Sequence, residues 1–227
     1  MSERDNILAR IREALAVVAP APGRPPGPPH GLGAPTAADQ RRVLPAAGEG
    51  FDARLALFAR NSIELRSDFE LLKDEVELAA ELKRLRDAES WGGVASHKGA
   101  LTDLACQVLA LPVLRTDAVF EKADLERLPV GISECDALIA QTGSVVVTSR
   151  SAGGRALSVL PPHHVVLARR EQLVADLPGA FALLKARYGA HYPSMISFIT
   201  GPSRTGDIER ILVLGAHGPK QLTILCV

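Results

Sequence analysis

Met195-Ile-Ser-Phe-Ile-Thr-Gly-Pro-Ser-Arg-Thr-Gly-Asp-Ile-Glu209 decides the fold class. An apolar run of strand length ends at Gly201-Pro202, which breaks it. Ser203 or Thr205 can cap a helix, and Asp207 and Glu209 suit its positive end. The stretch therefore predicts a strand, a sharp polar turn and a helix near Thr205–Leu212. A loop at such a junction offers free backbone N–H groups to an anion, and Arg204 adds a fixed positive fork.

Outward from that stretch, helices alternate with apolar strands. Helices are predicted over Phe51–Ala59, Glu70–Arg86, Leu101–Leu109, a piece ending near Asp124–Leu128, and Leu177–Tyr188. Strands are predicted at Ser62–Arg66, Gly92–Ser96, Pro112–Leu114, Met195–Thr200 and Gln221–Val227. Four β-rich runs follow one another in the middle: Ala137–Ala140, Val145–Thr148, Ala156–Leu160 and His164–Leu167. Short turns separate them, as in a meander or hairpins. The expected architecture is a three-layer α/β/α fold with a mostly parallel sheet and some antiparallel insertion.

The N-terminal part differs. Residues 2–18 carry Ile7, Leu8, Ile11, Leu15 and Val18 at helical spacing, with Ser2 as N-cap. Pro20-Ala-Pro-Gly-Arg-Pro-Pro-Gly-Pro-Pro29 opens a semi-rigid stretch. The expected organisation is a helical appendage over 1–18, a proline-rich linker over 19–49 and the main domain over 50–227.

Composition excludes several functions. The formal net charge of the 227 residues is +0, so no global field favours nucleic acid or an anionic membrane. Aromatics make up 4%, too few for base-stacking platforms. Cys106, Cys135 and Cys226 are far apart and odd in number. They suggest reduced thiols rather than a disulfide framework, a zinc site or a cluster held by this chain. The start of the chain lacks a secretory h-region, and no apolar run is long enough to span a membrane, so the expected location is cytoplasmic.

Glu134-Cys-Asp-Ala-Leu-Ile-Ala-Gln-Thr-Gly-Ser144 is the second constellation. Read as a strand opened by acidic residues, it places Thr142, Gly143 and Ser144 at the carboxyl end, where open α/β sheets bind ligands. Gly143 permits close backbone approach, and the hydroxyls donate or accept. A plain β-turn between two strands fits the same residues. Glu134 and Asp136, two apart, share a strand face and either pair or sit solvated at its entry. His163 and His164 point to opposite faces, which suits one orienting a loop or lining a pocket and the other exposed. They do not share a metal, and no metal site is expected. Ser144 and His163 lack a nucleophile elbow. Leu214-Gly-Ala-His-Gly-Pro-Lys220 reads as a helix stop at Gly215, with His217, Gly218 and Lys220 near the 201–209 loop. Lys98 and Arg155 are further loop cations, each read as a solvated surface charge.

The Gly201–Glu209 and Leu214–Pro219 motifs together closely resemble the paired C-terminal signature of the LUD-domain family, its LutC/YkgG group in particular. Asp136–Ser144 and Leu160-Pro-Pro-His-His164 look like its central region, so the likeness covers roughly residues 50–227. Gly206 departs from the family's usual alanine, a change worth about 0.5–1 kcal/mol in a helical turn. The resemblance implies a fold similar to ribose-5-phosphate isomerase and the CoA transferases. It further implies an accessory role in oxidising L-lactate to pyruvate, beside companion subunits that carry the iron–sulfur clusters. On that expectation Thr142, Gly143, Ser144, Gly201, Ser203, Arg204, Thr205, Asp207, Glu209, His217, Gly218 and Lys220 line a pocket for an anionic small molecule. The alternative is an independent isomerase or CoA-transferase-like enzyme acting on a phosphorylated or carboxylated small molecule, or a binding module that senses one.

Overall fold

The computed structural model describes residues 3–16, 46–205, 213–214 and 218–227. Ser2, Val18, the proline-rich stretch through residue 45, and residues 206–212 and 215–217 lie outside them. The chain divides into two units, Met1–Val43 and Leu44–Val227. The first contains helix α1 (Glu3–Ala16).

The second unit is built on six strands: β1 (Asp68–Leu71), β2 (Val94–Ser96), β3 (Val113–Arg115), β4 (Val130–Glu134), β7 (His163–Ala168) and β12 (Gln221–Cys226). They lie in the order β1-β12-β7-β4-β2-β3, and every pairing is parallel. One face is covered by α3 (Glu75–Glu89) and α4 (Ala100–Leu109). Leu78, Leu82 and Leu85 of α3, and Leu101, Ala105 and Leu109 of α4, pack there on Val94, Ile132, Val165 and Leu225. The other face receives α2 (Gly50–Leu65) and α5 (Lys122–Glu126). It also receives a second sheet of β5 (Ala137–Ile139), β6 (Ser144–Thr148), β8 (Leu173–Val174) and β9 (Ile196–Ile199), ordered β8-β5-β6-β9. In that sheet β5–β6 and β6–β9 are antiparallel, the insertion anticipated in the middle of the chain. Its outer side is closed by α6 (Leu177–Tyr188) through Ala180 and Leu184. The molecule is thus a layered α/β protein with a mostly parallel main sheet.

Five local expectations are corrected. Ser62–Leu65 continues α2 instead of forming a strand. Period-2 alternation over five residues also fits one helical turn, and here the Ser62 hydroxyl donates to the Phe58 carbonyl, four residues back (2.9 Å). The helix expected from Glu70 starts at Glu75, because the Asp74 carboxylate accepts from the Val76 and Glu77 amides (2.9 and 3.0 Å). Its buried stripe is Leu78, Leu82 and Leu85, while Val76 is exposed. Val130–Glu134 is a strand, so Glu134 ends one strand rather than opening another. Ala156–Ser158 is a 3-10 turn, whose Leu157 carbonyl packs close over Gly131, where no side chain fits. Finally, Arg204–Thr205 is not a helix start. It is strand β10, antiparallel to β11 (Val213–Leu214).

Candidate functional site

Two clusters emerge, at opposite ends of the main sheet. The first gathers most of the described residues singled out from sequence. β6 and β9 are neighbours, with Val145 opposite Ile199, so Ser144 and Thr200 meet one step further on. Their hydroxyls lie 2.8 Å apart. Gly143 (φ +65°) and Gly201 (φ +90°) both abut Leu65 at the C-terminus of α2. An added Cβ would stand 2.8 Å from Leu65 Cδ1 at Gly143 and 2.9 Å from the Leu65 carbonyl at Gly201, so both turns need glycine. Asn61 Nδ2 fastens the first turn by donating to the Ala140 and Gln141 carbonyls (2.8 and 3.0 Å).

The Ser203 amide donates to the Pro219 carbonyl (2.8 Å), and Gly218 packs on the Ser203 side chain. The Lys220 amide donates to the Pro162 carbonyl (2.7 Å). The Arg204 side chain turns back toward Gly201, its Nη2 3.3 Å from where a Cβ would stand there. Thr142 Oγ1 is buried without a partner among the described residues. Asp207, Glu209 and His217 lie outside the described residues. Three loops thus adjoin in sequence of contact: 142–144 to 200–201, 203 to 218–219, and 220 to Pro162.

This rim is not at the carboxyl ends of the main sheet, as expected for Thr142–Ser144. α2 runs directly into the amino end of β1, and Lys220 and Pro162 precede the amino ends of β12 and β7. Arg204 and Thr205 are in a strand, and the rest of the helix expected near Thr205–Leu212 lies outside the described residues. What the rim offers is hydroxyls and a guanidinium.

The second cluster sits at the carboxyl ends. From β2 the chain passes to α4 on one face. From the adjacent β4 it passes through buried Cys135 to the second sheet on the other face. Neighbouring strands whose exits diverge open a crevice between them, the usual ligand position in such sheets. Glu134 and His97 fill it. Glu134 Oε1 accepts from the Leu101 and Thr102 amides (2.7 and 3.3 Å), serving the N-terminus of α4, whose own N-cap Gly99 has no side chain to do so. Beside them Thr102 Oγ1 is buried without a partner among the described residues.

His97 Nδ1 is 3.0 Å from the Lys98 carbonyl, and Nε2 accepts from the Glu134 amide (3.1 Å). A carbonyl only accepts and an amide only donates, so the proton sits on Nδ1 and the ring is neutral. Burial, the largest influence, accordingly pulls its pKa below the ordinary histidine value. Arg115 holds the His97 carbonyl and an ion pair to Asp103. Gly153 (φ +58°) lies against His97 and Thr116, and its carbonyl accepts from Thr116 Oγ1 (3.0 Å). Lys98 and Arg155 are exposed on the loops of this end.

Glu134 and Asp136 are not a pair. Asp136 is fully buried, and its Oδ1 accepts from Arg187 Nη1 and the Tyr188 hydroxyl, both at 2.6 Å. Sequence reading missed Arg187 and Tyr188, which α6 delivers from fifty residues away. His163 and His164 are both buried, so neither is the exposed one. Ser144 pairs with Thr200, and His163 contacts other groups. The three thiols are buried and free, and burial raises the pKa of each, that of Cys226 to about 11. Such thiols stay protonated and unreactive near neutral pH. Among the described residues no three His, Cys, Asp or Glu side chains gather to hold a metal ion. No helix among them is long and apolar enough to cross a membrane.

A parallel α/β core with an inserted antiparallel sheet and a glycine-rich rim defines the class of protein. The LUD domain matches residues 107–227, which include all three loops of the rim and Glu134. The chain belongs to the LUD-domain family. It is 36% identical over 102 residues to a "Lactate utilization protein C" of Anoxybacillus flavithermus, covering 45% of each chain. Another of that name, from Deinococcus radiodurans, is 30% identical over 120 residues, 52% of this chain and 56% of the relative. The aligned part thus spans about half of these relatives. A crystal structure of a DUF162-family protein from Deinococcus radiodurans matches with a TM-score of 0.63 at 20% identity, over 79% of this chain and 99% of that one. That likeness concerns the fold.

Proposed function

We propose that this chain is a cytoplasmic accessory subunit of a system that oxidises L-lactate to pyruvate, and that its amino-end rim receives a small carboxylate. The observation that carries the reading is the family match across residues 107–227, together with relatives named for lactate utilization. Arg204 supplies the charge, and the Ser144–Thr200 hydroxyl pair and Thr142 Oγ1 supply neutral hydrogen-bonding groups. Gly218, which packs on Ser203, and Lys220, whose amide donates to the Pro162 carbonyl, belong to the same receptor; His217, assigned to it from sequence, lies outside the described residues. Lactate oxidation needs an electron acceptor, and the three thiols here are buried and free. On this reading the electrons pass through companion subunits carrying iron–sulfur clusters, with none held by this chain. Deleting the gene should abolish growth on L-lactate and lactate oxidation in extracts. Normal growth and normal oxidation in a strain with no second copy would refute the role.

Glu134 favours a second reading, an independent CoA-transferase-like enzyme acting on a carboxylated molecule. The carboxylate stands at the carboxyl-end crevice with Oε1 fixed by two amides, and Oε2 has no hydrogen bond among the described residues. It can attack a thioester carbonyl through Oε2, forming an acyl anhydride and releasing the thiolate. Turnover of CoA thioesters by the purified chain, lost in E134Q, would select this reading. No turnover would leave the first.

A further inference from the structure

Helix α6 is the outermost layer over the second sheet, yet it is apolar on both of its sides. Ala180 and Leu184 are buried against Ala137, Ile139 and Val146 of that sheet. The opposite stripe is Pro178, Phe181, Ala182, Lys185 and Ala186, all exposed, with Phe181 at 56%. The charged side chains of the helix are Lys185 and Arg187, both in its last turn. A helix covered on one side carries polar residues on the other, whereas one that is apolar all round is a buried helix. The patch continues onto the sheet: the Phe181 ring lies 5.4 Å from that of Phe198 on β9, tilted by 44°. Tyr192, shortly before β9, is exposed as well. Exposed apolar surface of this kind, with aromatics at its centre and polar groups at its rim, marks a protein interface.

The charge around the patch selects its occupant. Lys185 and His191 are exposed beside it, and the exposed Arg150 lies over the Tyr188 ring, 5.4 Å from the centroid. The sequence has no acidic residue between Asp136 and Glu171, or between Asp176 and Asp207. Asp176 itself is taken up in capping α6, where it accepts from the Gly179 amide (2.9 Å). Asp136 is buried against Arg187. The face is therefore basic, although the net charge of the whole chain is +0. Two copies joined through this face would set cations against cations. A lipid surface would bury little on the small side chains of Ala182 and Ala186, whereas a partner helix can approach closely over them.

We infer that this face docks a protein partner through an acidic helix. That helix lies along Ala182 and Ala186, with Phe181 in the middle of the contact and its carboxylates over Lys185 and Arg150. The identity of the partner rests on the proposed function, since the accessory role makes it an iron–sulfur subunit of the lactate-oxidising system.

The test uses the tagged full chain purified from lactate-grown cells. The iron–sulfur subunit it retains is identified by mass spectrometry, and the dissociation constant is measured with that subunit purified. A182E and K185E leave the buried side of α6 unchanged and should raise the dissociation constant about tenfold or more. A182S should bind as wild type does. So should V76E, which adds the same charge as A182E at an exposed position of α3, on the other face of the main sheet. Added salt should weaken the wild-type complex. Melting temperatures report whether the variants fold, and should A182E not fold, K185E decides. Equal dissociation constants for wild type and K185E would overturn the docking surface. So would self-association of the wild-type chain that K185E abolishes, or K185E-sensitive binding to vesicles of equal parts phosphatidylcholine and phosphatidylglycerol. A wild-type chain that retains no iron–sulfur subunit would overturn the partner together with the accessory role, a failure distinct from that of the surface.

Discussion

Glu134 Oε1 accepts a hydrogen bond from the Leu101 amide at 2.7 Å, so the last residue of β4 caps the helix that follows β2. The cap is charged and sits at the positive end of α4, where Gly99 offers nothing in its place. E134A should cost about 1–2 kcal/mol of unfolding free energy in urea. E134Q keeps a carbonyl acceptor and should cost less. Equal stability of all three proteins would mean that the contact contributes nothing.

His164 carries a pH dependence. Burial, then the nearby His163 and His97, depress its pKa to about 3. The unfolded chain titrates near 6.5. Between those values the unfolded state binds the additional proton, so stability rises with pH. The contribution is complete above about pH 6.5 and is lost as pH falls toward 3, with a slope of at most about 1.4 kcal/mol per pH unit. His97 is depressed in the same direction and steepens the upper part. Urea unfolding at pH 7.5 and pH 5 should show a large loss in wild type and a smaller one in H164N. Identical losses would exclude His164 as the source.

D136N should loosen the seam between β5 and α6. The carboxylate is fully buried, while the Arg187 side chain is 43% exposed. Water therefore relieves part of the unpaired charge, and the expected cost is about 1–3 kcal/mol rather than the value for a fully buried pair. Thermal unfolding of D136N and R187M measures it. The aspartate variant should be the worse of the two if Tyr188 also depends on Asp136.

Gly153 and Gly154 give a matched pair. Both have positive φ, but a Cβ on Gly153 would lie 2.3 Å from His97 Cβ, whereas Gly154 faces open space. G154A should cost only backbone strain, about 1–2 kcal/mol. G153A must also move the loop off His97, adding about 1–3 kcal/mol. Comparable melting temperatures for the two variants would contradict the packing of this loop on the carboxyl end.

The strands at Gly92–Ser96, Val145–Thr148 and Gln221–Val227 were legible because each is a short apolar run between turn residues. β4 was not, since Pro129 and Gly131 interrupt its apolar pattern. Arg204–Thr205 carries a helix-start signature yet pairs with Val213–Leu214, a partner that local composition does not reveal. The same holds for the sites. The meeting of Ser144 with Thr200 was legible only in part, because it depends on β6 and β9 being neighbours. Glu134 could have been placed correctly by reading Val130-Gly-Ile-Ser133 as a strand, which puts its carboxylate at the carboxyl end. The contacts of His163 with Glu89 and Thr223 join three distant segments and have no local signature.

The most direct measurement of the central claim is complementation on L-lactate. A strain lacking the gene should recover growth with the wild-type chain and stay impaired with R204A at equal protein level and melting temperature. Full recovery with R204A would contradict a carboxylate-receiving rim at Arg204, Ser144 and Thr200. Growth without any copy of the gene would contradict the lactate role itself.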